Sequence, residues 1–111
     1  KILEKKKKIK KKYEFIFKGN SQFQLLFKKN KNMIWNNWIN FIILKTKITQ
    51  KKRNNILLNL NSKNIMARPI WTIMSRINFL KKFPRMNLNN SKNLENQIIC
   101  LPSCPNLKVK N

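Results

Sequence analysis

The chain has 111 residues, with 26 Lys and Arg against three acids, giving a net charge of +23. That length allows one small domain with a modest core. A single glycine rules out a Gly-rich phosphate loop, and the absence of histidine rules out Ser–His and Cys–His dyads and histidine metal sites.

Taken alone, the charge points to nucleic acid or to an anionic membrane. Lys, Asn and Ile dominate the chain, however, and all three have AT-rich codons. Most of the cations are Lys, whereas bidentate readers of bases and phosphates tend to be Arg. We therefore read the charge as base composition expressed on a solvated surface. The acids Glu4, Glu14 and Glu95 are too scattered to form a carboxylate pair, so no catalytic centre can be assembled from this chain alone. Cys100 and Cys104 form a C-x3-C pair with no other soft ligand, a poor zinc site, and are read as two reduced, partly buried thiols. No apolar run approaches a membrane span, and no signal-peptide apolar region follows the Lys-rich start, which favours the cytoplasm.

In chain order, Leu3 to Phe17 reads as a helix with Ile2, Ile9, Tyr13 and Ile16 on one face and Lys elsewhere. Gly19-Asn20 ends it. Phe23 to Phe27 is a short strand. Trp38 to Leu44 is the clearest strand, and its near-continuous apolarity implies burial on both faces. Thr49 caps a helix that runs to about Lys63, with Ile56, Leu57 and Leu60 inward. Asn64 stops that helix in a left-handed conformation. Ile65 to Trp71 runs extended because Pro69 disfavours helical geometry at Arg68. Asn87 or Asn89 caps a short helix through Gln97, and Ile98 to Leu101 is the last strand. The order predicts an α+β fold with a small sheet covered by helices.

The motifs Arg68-Pro69-x-Trp71, Met86-Asn87-Leu88, Leu94-Glu95 and Leu101-Pro102-Ser103 occur in an order and spacing that resembles the C-terminal end of the DegT–DnrJ–StrS family of pyridoxal-phosphate sugar aminotransferases. The branch that aminates keto-sugars on the way to legionaminic-acid-type sugars is the most similar. Asn36-Asn37-Trp38-Ile39-Asn40 resembles the family's Asn-Tyr-Trp-Leu-Asn strand start. Lys1 is not an initiator Met, and we read the chain as the tail of a longer polypeptide, residues 1–111 being the small C-terminal domain of a fold-type-I aminotransferase. The resemblance implies a homodimer and a pyridoxal phosphate held by a large domain that also carries the Schiff-base lysine. It implies transfer of an amino group from glutamate to a nucleotide-linked keto-sugar. Arg68 is then a candidate for gripping a carboxylate or diphosphate, Trp71 for stacking on a sugar or base, and Asn40 for a substrate contact. Structural readings stand beside these: a pair with the large domain for Arg68, interface filling for Trp71, and a hydrogen bond at the strand start for Asn40. Ser75, Cys100, Cys104 and Lys92 depart from the family's usual His, Asn, Ser and acidic residue.

Two other classes compete with this reading. A small basic RNA-binding protein of ribosomal type would use its charge and Trp35, Trp38 and Phe41. Those aromatics are expected to be needed in the core, so no specific nucleic acid is expected. A basic helix over Lys1 to Phe17 lying on a membrane has too narrow an apolar stripe, so no membrane partner is expected either.

Overall fold

The computed structural model describes residues 1–26 and 32–107. Among these residues, three α-helices and a four-stranded antiparallel sheet make an α+β unit, as expected. The helices are α1 (Ile2–Phe17), α2 (Gln50–Ser62) and α3 (Asn89–Gln97). The strands are β1 (Phe23–Leu25), β2 (Asn40–Leu44), β3 (Arg68–Pro69) and β4 (Ile98–Leu101), in the spatial order β1-β2-β4-β3. Phe27, the last residue of the first expected strand, lies outside the described residues.

Strand alternation sorts the sheet into two faces. Ile42 pairs with Ile99 and with Leu25, Asn40 with Leu101, and Leu44 with Phe23, so these side chains share one face. Ile9 and Tyr13 of α1 and Leu57 of α2 close over that face, with Ala67 beside them. Ile99, with no exposed surface, is the centre of this core. Phe17, Ile56 and Leu60 pack around its edge.

The expected α1 stripe is shorter than its sequence suggests. Ile2 and Ile16 are exposed, and Phe17 takes the inward place after Tyr13. The expectation that β2 is buried on both faces also fails. Asn40, Ile42 and Leu44 are buried, but Phe41 and Ile43 are only half-buried, because helices cover the other face of this strand. The strand also starts later than expected. The Asn36 side chain accepts from the Trp38 amide at 2.9 Å, and Asn37 adopts φ 53°. Such an Asx turn followed by a left-handed residue bends the chain away from β geometry, so pairing starts only at Asn40.

Local signals elsewhere act as expected. The Thr49 hydroxyl accepts from the Lys52 amide at 3.3 Å at the start of α2. Asn64 turns left-handed at φ 60°, and Gly19 does so at φ 73°. At α3, Asn87 accepts from the Asn89 amide at 2.9 Å while Leu88 occupies the cap itself, so Asn87 rather than Asn89 supplies the turn before the helix.

A polar centre ties α2, α3 and the segment after β3 together. Arg53 of α2 is buried and donates through Nη1 to the Glu95 carbonyl oxygen at 2.9 Å. The Glu95 side chain is only 5% exposed. Its Oε1 accepts from the Ile73 amide at 3.1 Å. No donor lies in line with its Oε2 among the described residues, but Arg76 Nη1, 2.9 Å away, offsets the charge.

Candidate functional site

The sheet's other face carries an open groove of about 430 Å³. Cys100 of β4 and Arg68 of β3, paired across the strands, line it, and Phe41 of β2 pairs with Cys100 on the far side of that row. Trp71, two residues beyond β3, stands over that row. Its ring centroid is 6.4 Å from Phe41 at an interplanar angle of 71°, and 6.2 Å from Trp38 at 39°. Both geometries lie in the favourable range for aromatic pairs. The tryptophans brace each other yet keep most of their surface in solvent, with Trp38 64% exposed and Trp71 62%. Arg68 is exposed in the same groove and makes no side-chain hydrogen bond or ion pair among the described residues.

One end of the groove is fixed by a hydrogen-bonded knot. The Ser103 hydroxyl accepts from the Asn40 amide at 2.9 Å and from Asn40 Nδ2 at 3.0 Å, and donates to the Leu101 carbonyl at 3.0 Å. Lys6 reaches over from α1 and donates to the carbonyls of Trp38, at 2.9 Å, and Ser103, at 3.0 Å. The Tyr13 hydroxyl donates to the Pro102 carbonyl at 2.8 Å. Burial pushes the Tyr13 pKa up to about 12, so it remains a donor at any neutral pH. Burial also raises the Cys100 thiol, whose Sγ lies 3.6 Å from the Pro69 carbonyl, whereas Cys104 is exposed at the groove edge rather than partly buried.

Two of the three candidate residues, Arg68 and Trp71, are thus brought to one groove. Asn40 lies behind it, buried, with its amide engaged by Ser103. Sequence reasoning missed Trp38, expected in the core and found at the groove mouth, and Lys6, which no local pattern singles out among the lysines of α1. It also missed the role of Glu95, although an acid in so cationic a chain is itself a signal.

Among the described residues there is no group of three or more His, Cys, Asp or Glu side chains that could hold a metal ion. The chain belongs to the DegT/DnrJ/EryC1/StrS aminotransferase family, whose model matches residues 1–111. No curated protein matches the sequence. Among solved structures, it is similar to Helicobacter pylori PseC, an aminotransferase involved in the biosynthesis of pseudoaminic acid, with TM-score 0.82, 23% identity, and 96% of this chain and 29% of that one covered. The putative sugar aminotransferase Spr1654 from Streptococcus pneumoniae, in its PMP form, gives TM-score 0.81 at 17% identity, over 96% and 27% of the chains. The E. coli GDP-4-keto-6-deoxy-D-mannose-3-dehydratase with bound hydrated PLP gives 0.74 at 19%, over 94% and 27%. These likenesses concern the fold. The chain spans less than a third of the length of these relatives.

The described residues do not themselves fit pyridoxal phosphate. The cofactor needs a lysine to hold it, an acid facing its pyridine nitrogen and donors for its phosphate. The buried acid, Glu95, is occupied by Ile73 and Arg76, and the groove lysine, Lys6, is committed to two carbonyl oxygens. No catalytic step is assigned to this chain.

Proposed function

We propose that this chain is the small C-terminal domain of a pyridoxal-phosphate-dependent sugar aminotransferase. The parent polypeptide moves an amino group from glutamate to a nucleotide-linked keto-sugar, as a homodimer in the cytoplasm. The groove forms one rim of its substrate cleft. Residues outside this chain hold the cofactor, which supplies the electron sink for the transfer.

The observation that carries this reading is the pairing of the uncommitted Arg68 guanidinium with the exposed Trp38–Trp71 pair in one groove of a family member. A guanidinium fork suits the paired oxygens of a carboxylate or diphosphate. A solvent-facing indole suits the flat face of a sugar or base. Asn40 acts one step back, holding Ser103 and through it the groove end. The likeness to the E. coli dehydratase supports the substrate class, since that enzyme is named for a nucleotide-linked keto-sugar.

The test is amination by the polypeptide that carries this chain. Glutamate, pyridoxal phosphate and a panel of nucleotide-linked keto-sugars are supplied, and products are read by mass spectrometry. The reading expects an amino-sugar product that depends on glutamate and cofactor. A product lacking oxygen but gaining no nitrogen would replace amination with dehydration.

A further inference from the structure

We infer that Glu95 is a positioning residue for the Trp71 wall of the groove, an inference that rests on the functional reading of that groove. Trp71 sits on a stretch that has little of its own to hold it. β3 ends at Pro69, and the next regular structure is a single 3-10 turn over Met74–Arg76. Among the described residues no backbone ladder fixes Trp71 between them, yet its ring is held against Phe41 and Trp38. Glu95 supplies the missing anchor. Its carboxylate grips this stretch at two points from one buried position, Oε1 on the Ile73 amide and Oε2 beside the Arg76 guanidinium. The first grip is two residues from Trp71, and the second is on the 3-10 turn.

The anchor is itself anchored. Arg53 Nη1 holds the Glu95 carbonyl, and Gln97, on the last turn of the same helix, donates to the carbonyls of Leu44 at 2.9 Å and Thr46 at 3.2 Å. A clamp is only as rigid as what bears it, and α3 is tied to both α2 and the end of β2. The other two acids lie on exposed parts of α1 and pair locally, Glu4 with the N-terminus and Glu14 with Lys10. Glu95 alone among the three is buried and reaches across the fold. The partners of its carboxylate, Ile73 and Arg76, lie outside the groove lining, which makes it a positioning residue and not a substrate contact.

Two variants separate the grips. Glu95→Gln keeps an oxygen for the Ile73 amide and removes the charge that faces Arg76. Glu95→Ala removes both. In the polypeptide that carries this chain, we expect hydrogen exchange of the peptide spanning 70–77 to quicken modestly in Glu95→Gln and more in Glu95→Ala. Amination should show a raised KM for the keto-sugar with kcat nearly unchanged, on the order of tenfold for Glu95→Ala, the cost of a wall held loosely. The deciding readout is a double-mutant cycle. If Glu95 acts through Trp71, Glu95→Ala adds nothing to the KM of Trp71→Ala; independent effects would add. Additive KM effects, or unchanged exchange over 70–77 in both variants, overturn the inference. Should Glu95→Ala fail to fold, Glu95→Gln carries the same cycle. If Trp71→Ala leaves KM unchanged, the functional reading of the groove fails and this inference with it, whereas additivity removes the inference and leaves that reading standing.

Discussion

The two faces of the four-stranded sheet share the central strands β2 and β4, and alternate residues of one strand serve opposite ends. Ile42 and Ile99 lie under α1 and α2, in a core where apolar surface is removed from water. One residue away on each strand, Phe41 and Cys100 face the other way, and Cys100 lines a groove in which two tryptophans and an arginine remain in solvent. Burying large aromatics is strongly favourable, and Trp38 and Trp71 forgo much of that gain. Solvent-facing aromatic groups beside an uncommitted arginine are what the proposed substrate cleft would use for recognition. Residues on the helix-covered face should govern stability, and those on the groove face should govern affinity.

The largest expected effect lies on the covered face. Ile99→Ala should lower unfolding free energy by about 2–5 kcal/mol, from lost burial and the cavity left behind, as read by denaturant titration. Trp71→Ala should change it by no more than about 1 kcal/mol. A reversal of that order would break the distinction between the faces.

Next is alkaline pH, which tests the hydroxyl that joins core to groove. Tyr13 is the one tyrosine in the chain, so its ionisation can be followed by absorbance near 295 nm. Burial raises its folded pKa to about 12, above the ordinary value of 10.0. The unfolded state therefore loses its proton first, and the stabilisation is whole below pH 10 and drains away as pH rises towards 12. A tyrosine titrating near its ordinary value in the folded protein would contradict the burial of this group.

A smaller effect is expected at Thr49, whose hydroxyl caps α2. Thr49→Ala should cost about 1 kcal/mol by denaturant titration and leave the groove untouched. The mildest test uses the two thiols. Exposed Cys104 should react with a maleimide or an aromatic disulfide well before Cys100, whose thiol is raised by burial. Equal rates would mean that the base of the groove is more open than described.

Local signals account for what the sequence made legible. Thr49, Asn64 and Gly19 act within a few residues of themselves, and each turned or capped the chain where expected. The Arg68-Pro69-x-Trp71 motif located the groove because β3 and the residues just after it carry both side chains. What stayed hidden depends on distance along the chain. Lys6 bonds to Trp38 and Ser103, Asn40 to Ser103, and Glu95 to Ile73, all pairs that only the fold brings together. Trp38 was misplaced for a subtler reason. Its apolar neighbours promised a strand, but the paired asparagines before it turned the chain first.

The most direct test of the account is Arg68→Ala in the polypeptide that carries this chain, with KM for the keto-sugar or for glutamate and the melting temperature measured on the same samples. Loss of a charge-assisted contact of about 1.5–3 kcal/mol predicts a KM raised roughly ten- to hundredfold for one of the two substrates, with the melting temperature unchanged. Unchanged KM values with a lowered melting temperature would make Arg68 a structural residue and the groove face part of the scaffold.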